Sequence, residues 1–245
     1  MAAQLVVRDL SKTYTAGDKE LLAVSNINLE IAPREFVSII GSNGSGKTTL
    51  LKTVAGILTP TSGEARVEGT ISYMPQDHAL LPWRTVEENL SLPSDISNVP
   101  RANVKKRIVD LLTEFGLEQF AHLYPASLSG GMRQKVALLR TVLQDPALLL
   151  LDEPFASLDA LTRLEAQEWL LALLQKMHAS VLLITHDIRE AIFLSDTIYA
   201  LTSRPGTIKE KFAVPLPKPR TRDHLRTPEA LELEKKLLSL LVHTP

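Results

Sequence analysis

The sequence predicts an α/β fold built on a parallel sheet with helices on both faces. Three observations support this prediction. Strongly apolar segments at 35–40, 148–151 and 181–185 have the length of buried strands. Helical patterns separate these segments, and a glycine-rich loop at 41–46 joins the first of them to a helix. Because continuously apolar strands that alternate with helices are typical of a sheet covered on both faces, we expect this sheet to form the core.

The elements around this sheet follow from local patterns. Apolar residues at 5–7 and 27–31 predict short antiparallel strands at the N-terminus. The spacing of apolar residues predicts a helix over 47–58, directly after the glycine loop, and another over about 161–177. From 89 to about 144 the pattern is helical, with two apolar faces formed by Val104, Ile108, Leu111 and Leu112, and by Val136, Leu139, Val142 and Leu143.

The C-terminal part differs in composition. Three prolines in 214–219 and a largely polar stretch at 220–226 predict a linker over the surface. Thr227-Pro228-Glu229 favours the start of a final helix, because it combines a capping side chain, a first-turn proline and an acid at the positive end of the helix dipole. We therefore divide the chain into a core (1–88 and 146–203), an inserted helical subdomain (89–145) and a C-terminal linker and helix (204–245).

Composition excludes several classes of protein. The 245 residues include 44% hydrophobic residues and carry a net charge of −1, which is typical of a chain that folds around a core. Cysteine is absent, so disulfides and thiolate metal sites are excluded. The balanced charge gives no general attraction for nucleic acid, and we expect no nucleic-acid partner. The apolar runs are far shorter than the about 20 residues of a membrane-spanning helix, and the first ten residues do not resemble a secretory signal.

The glycine loop has the sequence of a phosphate-binding loop. Gly41-Ser42-Asn43-Gly44-Ser45-Gly46-Lys47-Thr48 fits G-x-x-x-x-G-K-[ST] and lies between an apolar strand and a helix, as that motif requires. Its glycines allow backbone N–H groups to turn towards a phosphate, beside the positive end of the helix. Lys47 would reach the β- and γ-phosphates, and the Thr48 hydroxyl would bind Mg²⁺. These residues predict the phosphates of a nucleotide and Mg²⁺ as ligands.

Two carboxylates follow the apolar strand at 148–151. Asp152 and Glu153 would lie at the C-terminal end of that strand, where ligands bind in open α/β sheets. Asp152 suits the Mg²⁺ shell, and Glu153 could orient or deprotonate the attacking water. The pair alone could merely cap the next helix. Together with the phosphate loop, it predicts a site for nucleotide hydrolysis.

A further segment identifies the kind of nucleotidase. The residues at 128–134, Leu-Ser-Gly-Gly-Met-Arg-Gln, resemble the signature of ABC-type ATPases and precede the acidic strand, as they do in that family. The resemblance extends to Gln76 after Tyr-Met-Pro, to Ser-Leu-Asp at 157–159, to His186 after Leu-Ile-Thr, and to Tyr14 at the position of the aromatic residue under adenine. It implies a P-loop NTPase of ABC type: a RecA-like mixed sheet core, an N-terminal antiparallel β-subdomain and an inserted α-helical subdomain.

The resemblance also implies roles for individual residues. Catalytic roles fall to Glu153, His186 and Lys47, and Mg²⁺ contacts to Thr48, Gln76 and Asp152. Ser129, Gly130 and Gly131 of one subunit would cover the γ-phosphate on the loop of a second, in a head-to-tail dimer bridged by Asp159. The full set of nucleotide contacts is Tyr14, Gly41, Ser42, Asn43, Gly44, Ser45, Gly46, Lys47, Thr48, Thr49, Gln76, Ser129, Gly130, Gly131 and Asp159.

Each of these matches also has a simpler explanation. Residues 129–131 could be only a helix cap, and His186 an ordinary residue at the end of a strand. Gln76 could be a solvated turn residue, and Tyr14 could belong to the core. The basic stretch from 204 to 226 could be a solvated tail or could lie near anionic lipid headgroups.

Further cues favour a transporter subunit. Residues 80–90, Met132 and Ser203-Arg204-Pro205-Gly206 resemble the nitrate, sulfonate, taurine and bicarbonate importer group. The resemblance implies a peripheral ATPase on the cytoplasmic face of a bacterial membrane, paired with itself or a related ATPase chain. Its other partners would be a permease and an extracytoplasmic solute-binding protein, and Leu80, Leu81 and Trp83 would either contact the permease or form local core. A non-transport ABC ATPase, or a module that binds ATP without hydrolysing it, remains an alternative.

Overall fold

A computed structural model describes residues 3–17, 19–97 and 101–242. The outermost ends of the predicted core and C-terminal segments, 1–2 and 243–245, lie outside the described residues. The described strands are β1 (Leu5–Ala16), β2 (Lys19–Ile31), β3 (Phe36–Ile40), β4 (Ser62–Val67), β5 (Ile71–Met74), β6 (Leu148–Asp152), β7 (Ser180–Thr185), β8 (Thr197–Leu201) and β9 (Ile208–Ala213). The described α-helices are α1 (Lys47–Val54), α2 (Val86–Ile96), α3 (Arg101–Glu114), α4 (Gly130–Val142), α5 (Ala160–Lys176), α6 (Ile188–Leu194) and α7 (Pro228–Val242).

The chain divides into two compact units. The first comprises Met1–Ile71, Ala147–Glu153 and His178–Pro245, and the second comprises Ser72–Pro146 and Pro154–Met177. The second unit therefore begins earlier than residue 89 and also contains α5. Its apolar cluster explains this grouping, because the Trp169 ring of α5 packs edge-on against Phe115 with a centroid separation of 3.8 Å.

A three-stranded antiparallel sheet, in the order β2-β1-β4, forms one layer of the first unit. Its antiparallel pairing is as predicted, but β1 and β2 are much longer than the short strands expected. Asp9 and Asn26 have positive φ values of 48° and 50° and lie at register shifts between the two strands. These irregularities interrupt the alternation of apolar residues without ending the pairing, so the sequence pattern underestimated the strands.

The central sheet of the first unit contains five strands in the order β6-β7-β3-β8-β9. The pairs among β6, β7, β3 and β8 are parallel, whereas β9 is antiparallel to β8. Every residue of β3, β6, β7 and β8 is buried, as expected of strands covered on both faces. Helix α1 begins at Lys47 but ends at Val54, four residues before the predicted end, because the N–H groups of Gly56 and Ile57 bond back to Thr53 and Lys52.

The predicted surface linker begins later than residue 204: residues 214–221 contain neither helix nor strand and Arg222–Arg226 form a short 3₁₀ helix, but the stretch before them is a strand. Residues Ile208–Ala213 form the edge strand β9, whose sequence of alternating charged residues gives no buried-strand pattern. Helix α7 begins at Pro228, as predicted, and buries Ala230, Leu233 and Leu237 against the sheet and α6. Basic residues between β9 and α7 contact the rest of the first unit. Lys218 and Arg220 bind the Asp196 carboxylate, and the Arg222 guanidinium lies 3.8 Å from the centre of the Phe193 ring.

The second unit is built on helices α2, α3 and α4. Their apolar faces meet in one cluster that contains Ile108, Leu112, Val136 and Leu139, which confirms the predicted helical faces. Helix α2 begins with a capping box, in which the Thr85 hydroxyl and the Glu88 carboxylate each accept from the other's backbone N–H. Among the described helices, none has the length and apolarity needed to cross a membrane.

Candidate functional site

The phosphate loop connects the central strand β3 to α1. Gly46 is the N-cap of α1 with a φ of +90°, and a Cβ at this position would lie 2.6 Å from the Ala23 carbonyl oxygen. A side chain would therefore be excluded both by the backbone conformation and by contact with β2. Ser45 N–H donates to the Ser42 carbonyl at 3.2 Å, so the loop is closed by its own backbone.

Lys47 points back into this loop. Its ammonium group donates to the carbonyls of Gly41 (2.9 Å) and Ser42 (3.0 Å), and the residue is only 5% exposed. Burial lowers the pKa of Lys47, while the carboxylates of Glu153 and Asp152 act in the opposite direction. The loop thus holds one cation beside its backbone N–H groups, which is the charge arrangement that a phosphate requires.

The register of the sheet brings the acidic pair to the loop. Ile40 pairs with Thr185, and Asp152 pairs with Ile184, so β3, β6 and β7 end at the same edge. The Thr48 hydroxyl donates to Asp152 Oδ1 at 3.1 Å. A hydroxyl and a buried carboxylate in contact form an oxygen donor set that suits Mg²⁺.

Glu153 and His186 lie at the same edge. Glu153 has a φ of +48°, and its N–H donates to the Ile184 carbonyl at 2.9 Å, which turns the chain away from the sheet. His186 Nδ1 lies 3.3 Å from Glu153 Oε2, and the imidazole is 58% exposed. The carboxylate therefore has a partner that can hold its orientation while the outer part of the imidazole remains accessible.

Tyr14 lies on β1 beside the start of α1. Its hydroxyl is 3.2 Å from the Thr49 hydroxyl, and the residue is 38% exposed. Lys12 Nζ lies 5.5 Å from the ring centroid. The ring is therefore not part of the buried core and retains a face that a planar ligand could stack on.

The other predicted site residues belong to the second unit. Ser129 is the N-cap of α4, where its hydroxyl accepts from Met132 N–H at 3.2 Å, and Gly130 and Gly131 form the first turn. Asp159 is the N-cap of α5, and its carboxylate accepts from the N–H groups of Leu161 and Thr162. Hydrogen bonding from Thr162 lowers the pKa of Asp159. The capping explanation thus holds for both segments, and helix capping leaves the remaining terminal N–H groups of α4 available to an anion.

Gln76 and the segment at 80–83 also lie in the second unit. Gln76 is exposed, Leu80 packs against the helical cluster, and Leu81 is half-buried. Trp83 is 70% exposed, although tryptophan is a large apolar residue. The local-core explanation therefore describes Leu80 but not Trp83.

Two residues make contacts that the sequence did not predict. Gln134 is buried on α4, donates to the Pro154 carbonyl and accepts from the Ser157 hydroxyl, so it ties the signature helix to the loop before α5. Arg204 donates from Nε to the Gly44 carbonyl of the phosphate loop at 3.0 Å. Only the arrangement of distant chain segments reveals these contacts. The sole sequence signal was that both residues belong to the motifs used for the family resemblance.

Comparison with known proteins gives a consistent picture. Residues 24–156 match the family model described as ABC transporter. An uncharacterized ABC transporter ATP-binding protein, MJ0412 of Methanocaldococcus jannaschii, is 40% identical over 98% of this chain and 92% of its own. The nitrate import ATP-binding protein NrtD of Synechocystis is 37% identical over 97% and 94%. The aliphatic sulfonates import ATP-binding protein SsuB of Delftia acidovorans is 43% identical over 89% and 87%.

Solved structures show the same fold. The ATP-binding cassette MJ0796, described as a dimer in a post-hydrolysis state bound to ADP and Pi, superposes with a TM-score of 0.77. The two sequences are 29% identical, and the match covers 86% of this chain and 98% of the cassette. The predicted P-loop fold of ABC type is confirmed.

Proposed function

The chain belongs to the ABC transporter family of ATP-binding proteins, and we propose that it hydrolyses ATP to power a permease that imports a small anion. ATP binding and ATPase activity are the properties of this family. The observation that carries the proposal is the meeting of the phosphate loop, Asp152, Glu153 and His186 at one sheet edge. The anion class is supported by the nitrate and sulfonate importers among the relatives.

The residues at this sheet edge would have different roles in ATP hydrolysis. The loop N–H groups and Lys47 would bind the phosphates, and Glu153 would orient the attacking water and accept its proton. His186 holds the Glu153 carboxylate and would reach the γ-phosphate with its exposed nitrogen. Thr48 and Asp152, with Gln76 as a further candidate, would hold Mg²⁺, which neutralises phosphate charge when bound. Most of the rate enhancement would come from positioning and electrostatics.

We further propose that the working form is a head-to-tail dimer, with itself or with a related ATPase chain. Ser129 caps α4, and the N-terminal N–H groups of this helix together with its positive dipole favour an anion. These groups would cover the γ-phosphate of the other subunit, and Asp159 would line the same interface. The dimeric cassette structures support this arrangement.

The permease contact is proposed at the exposed Trp83, with Leu81 beside it. Large exposed apolar residues are a common feature of protein interfaces. The chain would then act as a peripheral protein on the cytoplasmic face of a bacterial cell membrane, in a system with an extracytoplasmic solute-binding protein. Purifying the chain with its permease and measuring which anion stimulates ATP hydrolysis would identify the solute.

The test of the ATPase mechanism is Glu153→Gln, which keeps the size of the side chain but removes the base. We expect steady-state hydrolysis to fall by about 10²- to 10⁴-fold and an ATP-bound dimer to accumulate, as measured by light scattering. Glu165→Gln, the same change at an exposed position on α5, is the matched control and should hydrolyse ATP normally. Undiminished hydrolysis by Glu153→Gln would overturn the role of Glu153.

A further inference from the structure

The turn Ser203-Arg204-Pro205-Gly206, called here the 203–206 turn, connects β8 to β9 and lies against the phosphate loop. Gly206 N–H donates to the Ala23 carbonyl at 3.0 Å, and Ser25 N–H donates to the Gly206 carbonyl at 2.9 Å. A Cβ on Gly206 would lie only 2.0 Å from the Ser45 carbonyl oxygen. The turn is therefore tied to β2 and packs in direct backbone contact with the loop.

Arg204 contacts the neighbouring peptide unit of the loop, which precedes the one that carries the Ser45 carbonyl. Its Nε donates to the Gly44 carbonyl at 3.0 Å, and a Cβ on Gly44 would lie 3.3 Å from an Arg204 terminal nitrogen. Gly44 has a φ of +79°, a backbone conformation that residues other than glycine rarely adopt. The guanidinium itself is exposed, and its planar fork can bind a carbonyl without being buried.

This hydrogen bond fixes a donor as well as an acceptor. The Gly44 carbonyl and the Ser45 N–H belong to one planar trans peptide, in which they point in opposite directions. An arginine that holds the carbonyl on the outer side of the loop therefore directs the Ser45 N–H towards the inside. That N–H donates to the Ser42 carbonyl across the loop. When a nucleotide binds, a phosphate oxygen would take the place of the Ser42 carbonyl as the acceptor of this N–H.

We propose that Arg204 is a positioning residue for nucleotide binding: through the Gly44 carbonyl it holds the Gly44–Ser45 peptide so that the Ser45 N–H faces the phosphate. This inference rests on the proposed ATP-binding role of the loop. It assigns a function to a turn that the sequence offered only as a subgroup cue. Because the donor is used equally by the bound nucleotide and by the transition state, loss of Arg204 weakens binding without slowing the chemical step.

The test compares Arg204→Ala with Arg204→Lys in the full-length chain. The control is Arg226→Ala, which removes the same charge from an exposed residue that pairs with the exposed Asp223. Titration with a fluorescent ADP analogue gives Kd, and steady-state hydrolysis gives KM and kcat for ATP. For Arg204→Ala we expect about 3- to 10-fold increases in Kd and KM, as for loss of one exposed charge-assisted hydrogen bond, with kcat unchanged. The Lys variant should recover part of the loss, and Arg226→Ala should match the unmodified chain.

The dependence of Kd on salt concentration distinguishes positioning of the loop by Arg204 from direct attraction of the phosphates by its charge. If Arg204 acts through the Gly44 carbonyl, the ratio of Kd between Arg204→Ala and the unmodified chain should persist at high ionic strength. A ratio that falls to one at high salt would show that the arginine attracts the phosphates by its charge, and would overturn the proposal. A loss of kcat with unchanged KM would also overturn it.

A second variant tests the turn itself. Gly206→Ala introduces a methyl group against the Ser45 carbonyl and should displace the loop, raising Kd by more than Arg204→Ala does. If the unmodified chain fails to bind the ADP analogue, the proposed function fails together with this inference. If the unmodified chain binds normally and Arg204→Ala binds equally well, only the role of Arg204 is overturned.

Discussion

Loss of Asp196 should strongly destabilise the first unit without touching the proposed nucleotide site. Its carboxylate accepts from Phe36 N–H at the start of β3 and binds Lys218 and Arg220 at 2.8 Å. The Arg220 side chain is only 4% exposed, whereas that of Lys218 is 62% exposed. Asp196 thus joins the central strand to the segment that leads into α7.

The expected loss in the free energy of unfolding follows from the exposed fractions of these two side chains. Asp196→Ala leaves the buried Arg220 guanidinium without its charge partner, which typically costs 3–5 kcal/mol. Arg220 retains a hydrogen bond to the Leu194 carbonyl at 3.1 Å, so we expect a loss of about 3 kcal/mol, at the lower end of that range. Lys218→Ala removes only an exposed ion pair and should cost about 0.5 kcal/mol. Asp196→Ala combined with Arg220→Met should recover part of the loss, because no buried charge is then unpaired.

The assay is urea denaturation without nucleotide, followed with two probes. Both tryptophans, Trp83 and Trp169, lie in the second unit, so their fluorescence reports that unit, while circular dichroism reports the whole chain. The Asp196→Ala transition should shift to lower urea in circular dichroism. If Asp196→Ala loses no more stability than Lys218→Ala, the reasoning from buried charge is refuted.

Three further predictions follow. Burial acts to raise the pKa of Asp196, but its bonds to Lys218, Phe36 N–H and Arg220 lower this pKa overall. The carboxylate therefore contributes stability above the unfolded pKa of about 3.9, and this contribution is lost as pH falls through the folded pKa. The stability difference between the unmodified chain and Asp196→Ala should therefore narrow below about pH 4, as measured by urea titrations at several pH values. Asn89→Ala removes a fully buried amide that bonds the backbone at 81, 84 and 85. It should lower the free energy of unfolding detected by tryptophan fluorescence by about 1–3 kcal/mol and weaken permease stimulation more than basal hydrolysis. Leu237→Ala, at a fully buried position of α7, should cost about 2–5 kcal/mol in thermal or urea unfolding, whereas Leu231→Ala, at a 49% exposed position, should cost far less.

The meeting of the phosphate loop, Asp152, Glu153 and His186 at one sheet edge was predictable because the sequence signals are local. The phosphate loop and the acidic pair each combine a buried strand with the residues that follow it, and the rule that parallel strands end at one edge joins them. The same rule explains why His186, which follows β7, lies 3.3 Å from Glu153 although the two are far apart in sequence. Predictions of this kind need only strand identity and direction.

The features that were missed depend on tertiary contacts. Strand β9 has charged residues at exposed edge positions, so its identity comes from pairing with β8 and not from apolar alternation. The grouping of α5 with the second unit reflects packing between residues distant in sequence, such as Phe115 and Trp169. The contact of Arg204 with Gly44 joins residues 160 positions apart, and no local pattern encodes it.

The place of β3 in the sheet has a consequence for synthesis of the protein. Its two neighbours, β7 and β8, are encoded far downstream, so the apolar segment Phe36–Ile40 leaves the ribosome long before either partner exists. At about 5–20 residues per second, translation from Ile40 to Thr185 takes about 7–29 s. During that interval the strand has no native hydrogen-bonding partner in its own sheet and is exposed to aggregation. A chaperone that covers this segment early in elongation should raise the yield of folded protein more than one supplied after chain release.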